Sequence, residues 1–282
     1  MYDGYIQTRH GWSWYCVGNE DSFGVPVLVL HGGPGGSCNP ELYKLLDFGH
    51  PIYTYDQLGC GMSSDAEDRD GYSLQIYVEE LEDVIEGMGL HKFILMGASW
   101  GASLAVSYAL EHGTENLKGL ILVSPYLSGK LWNADQEKNI DELPSDTQKI
   151  LRAGGTSPEF YSALYDYYKR YLSVTGQCDI PGSSPENGIP DPYRVMWGTS
   201  ELKCEGTMAG YDVTDKLCRI DTPACLMCGD SDEVRTETLA YLASLFQDSE
   251  QQSVPRAGHR VRADNPEGYR GVLKSFIAHL SD

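Results

Sequence analysis

Apolar residues along this chain gather in short runs, each closed by a glycine, serine or aspartate: "VPVLVLHGG", "PIYTYDQ", "KFILMGAS", "GLILVSP" and "PACLMCGD". Runs this short and this continuous predict strands buried on both faces. Between them lie stretches of helical spacing, "NPELYKLLDFG" and "SLQIYVEELEDVIEGMGL". The second is expected to open on Ser73 as N-cap and to stop at Gly87 and Gly89. Strands alternating with helices predict a mostly parallel central sheet flanked by helices. "YIQTRHGWSWYCVG" alternates apolar with polar across a His-Gly turn and predicts an opening hairpin. The acidic run from Glu79 to Glu86 reads as a solvated helix face.

The rhythm breaks after "LVSPYLSG". Residues 126–206 carry aromatic-rich helical text, "PEFYSALYDYYKRYL", and a loop rich in proline and glycine, "CDIPGSSPENGIPDP", with no clear strand. Strand and helix resume at "DKLCRIDTPACLMCG". The predicted organisation is one sheet domain in two parts, residues 1–125 and 207–282, with a helical cap over 126–206 inserted between them.

Composition narrows the function. The chain has 282 residues, 41% of them hydrophobic and 22% charged, which suits one large α/β domain with an insertion. Its formal charge of -20 repels phosphate backbones and anionic lipid, so neither nucleic acid nor a membrane surface is an expected partner. No basic segment followed by an apolar run opens the chain, and no apolar stretch approaches the roughly 18 residues of a membrane span. Eight scattered cysteines fit reduced thiols and a cytoplasmic setting. Cys225 and Cys228 have redox spacing but lie in an apolar run, and are expected to be core thiols.

The candidate chemistry starts at "GASWG", residues 97–101. G-x-S-x-G alone is a weak signal in a chain with 31 glycines. Its context is specific: "KFILM" predicts a strand before it and "ASLAVSYALEHG" a helix after it, the order a nucleophile elbow requires. Ser99 is therefore the candidate nucleophile, and a serine needs a base and an acid to orient that base. On such a fold these follow in the order acid, then histidine. His259 in "RAGHRV" follows the last predicted strand, "QQSVP", and is the candidate base, whereas His279 sits in a closing helix. Among Asp230, Asp232 and Glu233, the spacing after the strand favours Asp232 as the acid, with Asp230 second. The oxyanion donors are expected to be the backbone N–H groups of Trp100 and of Gly33 in "HGGPGGS". His31 in that motif is read as structural. A histidine base near the reference value of about 6.5 predicts a rate that falls on acidification around that pH.

Taken together, "HGGPGGS", "YDQLGCGMS", "GASWG", "MWGTSE", "YDVTDKL", "GDSDEV" and "AGHRV" resemble the prolyl aminopeptidases (proline iminopeptidases) of the α/β-hydrolase superfamily. The resemblance runs along most of the sheet domain and the end of the cap. It implies an α/β-hydrolase fold and release of an N-terminal residue, preferably proline, from small peptides with a free amino terminus. It implies no metal and no organic cofactor. It also implies that Glu201, in the segment like "MWGTSE", and Glu233, directly after the acid, hold the substrate's amino terminus. Two carboxylates match the two N–H donors and single charge of an N-terminal proline. Thr199, Ser200 and Leu202 stand where the family commonly has Pro, Asn and Phe, and Ala98 and Ala102 where it has Gly and Ser. These departures bear on the pocket for the first residue, which Tyr161, Tyr165 and Trp197 are candidates to wall, although tyrosines at helical spacing more often serve packing and none is named as a specificity residue. The alternative within the same chemistry is an amidase or esterase acting on amino-acid amides or small esters. A non-catalytic binding protein of the same fold is disfavoured because every catalytic position is filled.

Overall fold

The computed structural model describes residues 1–38, 42–176 and 188–280. The start of the first predicted helix, at residues 39–41, and most of the proline- and glycine-rich loop lie outside the described residues. Eight strands form one sheet: β1 (Tyr2–Thr8), β2 (Gly11–Gly18), β3 (Val27–Leu30), β4 (Ile52–Tyr55), β5 (Phe93–Ala98), β6 (Leu117–Val123), β7 (Ala224–Gly229) and β8 (Ser249–Val254). Their order is β1-β2-β4-β3-β5-β6-β7-β8. The hairpin β1–β2 and the β2–β4 pair are antiparallel, and all other neighbours are parallel.

The helices are α1 (Leu42–Leu45), α2 (Leu74–Gly87), α3 (Trp100–His112), α4 (Gly129–Asp141), α5 (Ser145–Ala153), α6 (Pro158–Tyr171), α7 (Asp191–Met196), α8 (Thr236–Ala243), α9 (Val261–Asp264) and α10 (Pro266–His279). Both faces of the sheet are covered. Leu28, Leu30 and Leu95 on one face pack with α2, α3 and α8 residues such as Leu81, Leu104 and Leu239. Val29, Ile94 and Met96 on the other pack with Leu273, Phe276 and Ile277 of α10. The period of two along β7 sends Cys228 to the first layer and Cys225 to the second, so the two thiols face away from each other and cannot share a ligand.

Helices α4–α7 fall between β6 and β7, with no strand among the described residues there. They have an apolar cluster of their own, in which Leu143, Phe160, Leu164, Tyr167, Tyr168 and Leu202 meet. Ser73 precedes α2 in extended conformation, but its hydroxyl makes no capping bond. No helix among the described residues is long and apolar enough to cross a membrane.

The sheet positions the site by its register. After β3 the chain adds β4 on one side, then returns to add β5 on the other, which opens a crevice at the carboxyl ends of β3 and β5. Leu30 pairs with Gly97 and Ala98 with Val123, so the loops starting at His31, Ser99 and Ser124 leave the sheet side by side.

Candidate active site

Ser99 occupies the turn between β5 and α3 with φ 55 and ψ -120, a conformation L-residues rarely hold. The flanking glycines make this turn possible. A Cβ on Gly97 would lie 2.1 Å from the Gly101 carbonyl oxygen, and one on Gly101 would lie 2.6 Å from that of Leu30. The Ser99 N–H donates to the Val123 carbonyl at 2.8 Å, which anchors the turn to β6 and leaves the side chain half-buried above the sheet. Trp100 opens α3, where first-turn N–H groups have no intrahelical partner.

Gly33 and its neighbours are held by the "DQLGCG" segment. Asp56 accepts from the N–H groups of Cys38 at 2.7 Å and Met62 at 2.9 Å. Gln57 donates its backbone N–H to His31 Nε2 at 3.0 Å and its amide to the His31 carbonyl at 3.1 Å, and accepts from the Trp100 indole at 2.8 Å. Because Nε2 accepts, the His31 proton is on Nδ1, directed at the Gly32 carbonyl 2.9 Å away. Burial lowers the basicity of this imidazole, against the opposing pulls of Gly32 and Asp56. His31 is thus a neutral strut under the glycine loop.

Asp232 follows β7 and is almost fully buried. Its Oδ1 accepts from His259 Nδ1 at 2.8 Å and the Val234 N–H at 3.0 Å, and its Oδ2 from Ser124 Oγ at 2.6 Å and the Gly229 N–H at 3.0 Å. With Nδ1 so engaged, Nε2 is the imidazole nitrogen left for another partner. Burial lowers the proton affinity of His259, but Asp232, then Glu233 and Glu201, outweigh it and push its pKa up to about 9. Asp230 instead braces the backbone: its carboxylate accepts from the N–H groups of Arg256 and Ala257, tying down the loop that leads to His259.

Glu233 is sealed, with no exposed surface, and neither of its carboxylate oxygens has a hydrogen-bond partner among the described residues. Oε2 stands 3.8 Å from His259 Nδ1. Its backbone carbonyl accepts from Gln136 at 3.2 Å and Asn139 at 3.1 Å, both on α4, so the cap fixes its position. Burial pushes the carboxyl well above the usual carboxylate range, with His259 opposing and Glu201 and Asp232 adding to the rise. Glu201 is 8% exposed, and burial raises it too, against His259 and the nearby Tyr193 hydroxyl. That hydroxyl is buried and forms no hydrogen bond of good geometry with a described residue.

Ser99, His259, Gly33 and Glu201 line one cavity of about 430 Å³, between the carboxyl ends of the strands and residues Leu172 and Tyr193 of the α4–α7 segment. Asp232 reaches it through His259. Glu233 and Trp100 are fully buried and do not line this cavity. None of the three aromatic wall candidates lies on the cavity. Trp197 is packed against Tyr126 and Trp132 at 4.7 and 5.3 Å between ring centres, Tyr165 points to solvent, and Tyr161 borders a separate depression. The wall aromatics are Tyr193 and Tyr269. Sequence reasoning also missed Ser124 and the cavity-lining Arg260 and Arg262. Ser124 directly follows β6 and holds φ 48, yet its partner is 108 residues away. No group of metal-binding side chains occurs among the described residues.

Residues 25–266 match the model of the alpha/beta hydrolase fold family. A proline iminopeptidase of Heyndrickxia coagulans is 34% identical over 98% of both chains. One from Thermoplasma volcanium is 30% identical over 98% of this chain and 96% of its own. The crystal structure of a proline iminopeptidase from Mycobacterium smegmatis superposes with a TM-score of 0.87 over 99% of this chain and 98% of its own, at 24% identity.

Proposed function

The chain belongs to the α/β-hydrolase fold family and, within it, to the proline iminopeptidases, and from that premise we propose that it releases an N-terminal residue, preferably proline, from peptides through an aminoacyl-enzyme. Ser99 Oγ attacks the carbonyl carbon of the first residue and passes its proton to His259 Nε2. Asp232 holds the other ring nitrogen and stabilises the imidazolium. The N–H groups of Gly33 and Trp100 receive the developing oxyanion. His259 then protonates the leaving amine, and water, activated by the same imidazole, frees the amino acid from Ser99.

Glu201 and Glu233 supply the preference for a free amino terminus. The observation that carries this reading is the Glu233 carboxyl, buried without a hydrogen-bond partner among the described residues and 3.8 Å from His259 Nδ1. A secondary ammonium that reaches past Glu201 on the wall to the sealed Glu233 gives each glutamate one N–H donor and offsets their charge, whereas an acylated nitrogen leaves them unpaired at a cost of several kcal/mol. The test is hydrolysis of prolyl and alanyl aryl-amides beside an N-acetylprolyl control, with dipeptides and small esters in the same panel. The prolyl compound is expected to turn over fastest and the blocked one about 10³-fold more slowly or worse. Equal turnover of blocked and free substrates removes Glu201 and Glu233 from the mechanism, and turnover confined to esters or simple amides replaces the peptidase reading.

A further inference from the structure

Beyond the C-terminal end of α6 the chain runs against the loop that carries His259. Two backbone bonds join them: the His259 N–H donates to the Tyr171 carbonyl and the Arg260 N–H to that of Leu172, each at 2.8 Å. The approach is close enough that a Cβ on Gly258 would lie 2.6 Å from the Tyr171 oxygen and 2.9 Å from the Leu172 carbonyl carbon. One carboxylate closes this seam from the side. Asp264, the last residue of α9, accepts the Gly258 N–H at 2.9 Å and the Val174 N–H at 2.9 Å on Oδ2. Its Oδ1 accepts Ser173 Oγ at 2.7 Å, Thr175 Oγ1 at 2.6 Å and the Thr175 N–H at 3.2 Å. One donor thus comes from the residue before His259, and four come from the chain that leaves α6.

Asp264 does not line the cavity, so any effect on the reaction passes through this loop. All five donors need an acceptor, and only an ionised carboxylate offers two oxygens that accept without donating. Burial pushes the carboxyl up, but the bonds from Thr175, Gly258, Ser173 and Val174 reverse this and hold it below its ordinary value.

We propose that Asp264 is a positioning residue: it pins the end of α6 to Gly258 and thereby fixes where His259 stands over Ser99. The inference rests on His259 being the base. It makes the end of α6 and the loop that presents His259 one mechanical unit, so a displaced α6 end takes the imidazole out of line. A displacement of about 1 Å at a catalytic group is enough to cost up to about a hundredfold in rate.

The test compares Asp264→Asn, Thr175→Ala and the double variant on a prolyl aryl-amide. Turnover is expressed per reactive Ser99, counted by fluorophosphonate labelling taken to completion, so loss of folded protein does not enter. Asp264→Asn is expected to lower kcat about tenfold or more with KM within about twofold, and to slow labelling by a similar factor. Thr175→Ala, which removes one donor, lowers kcat less, and the double variant is no slower than Asp264→Asn alone because both act on one seam. A kcat and labelling rate within about twofold of wild type, or effects that add in full in the double variant, overturn the proposal. Should Asp264→Asn fail to fold, Thr175→Ala and Ser173→Ala carry the same readouts. A wild-type protein that is labelled at Ser99 yet leaves prolyl aryl-amides intact discredits the substrate reading alone, and the labelling rates still decide for or against Asp264.

Discussion

His259 shares its surroundings with three carboxyl groups: Asp232 and Glu233 stand 2.8 and 3.8 Å from Nδ1, and Glu201 lies on the wall of the same cavity. They push its pKa up to about 9, so the imidazole gives up its proton only at higher pH than a solvated histidine does. This differs from the value of about 6.5 that a solvated histidine implies. The reason is specific: the two glutamates proposed to receive the substrate's ammonium are also the groups that help hold the proton on the base. A bound ammonium offsets their charge, withdraws that support and lowers the imidazole's pKa. Since kcat/KM reports groups of the free enzyme and kcat those of the complex, the acid limb of kcat is expected at lower pH than that of kcat/KM. The sign follows from the role proposed for His259: activity is lost as pH falls through each limb, because a protonated ring cannot accept from Ser99. Full pH profiles with a prolyl aryl-amide check this, and a kcat limb at or above the kcat/KM limb would uncouple Glu201 and Glu233 from His259.

The elements differ in how openly the sequence displays them. The β5–turn–α3 unit is readable because all its determinants are local: apolar residues from Phe93, two glycines spaced around Ser99, and a helix behind them. The same holds for the sheet, whose buried strands alternate with helices. Contacts across the fold are not readable. Ser124 meets Asp232 from 108 residues away, and Asp264 meets Ser173 from 91, with no spacing in the text to link them. The tyrosines are unreadable for a related reason: helical spacing favours packing and names no pocket wall among Tyr161 and Tyr165, because the direction each ring takes is set by tertiary contacts. Where determinants are local, a substitution has a local and severe effect. Gly97→Ala drives a Cβ to 2.1 Å from the Gly101 oxygen, against backbone that has no room to yield. The expected cost is about 3 kcal/mol or more, hence a melting temperature lower by at least about 6 °C. Gly210→Ala, with nothing within 4 Å of the new methyl, is the matched control and is expected to melt within about 1 °C of wild type. Equal melting of the two variants would mean that the elbow relaxes freely and is not held by steric contact.

Across the whole molecule, a charge of -20 acts on the proposed substrate, which carries a positive amine. How far that field reaches depends on salt. The chain's radius of gyration is about 19 Å for its length, shorter than the Debye length of about 30 Å at 0.01 M salt but more than twice the length of about 8 Å at 0.15 M. At low salt the molecule's summed charge therefore draws the cation in, and at physiological salt only groups near the cavity mouth contribute. The cavity lining includes Arg262, whose sign opposes the approach of an ammonium and favours that of a carboxylate. A prolyl aryl-amide, a net cation, is expected to lose about threefold or more in kcat/KM between these two conditions. A Pro-Gly dipeptide, a zwitterion whose carboxylate the acidic surface repels, is expected to change by less than half that factor. The discrimination against the neutral N-acetylated control should fall by the same factor as the prolyl aryl-amide and no further, because Glu233 is sealed from solvent and Glu201 nearly so, where added ions screen little. Steady-state kinetics of the three substrates at both salt concentrations separate the two contributions. A discrimination ratio that collapses beyond that factor with salt would place recognition of the amine on the molecule's exposed surface instead of in the buried glutamate pair.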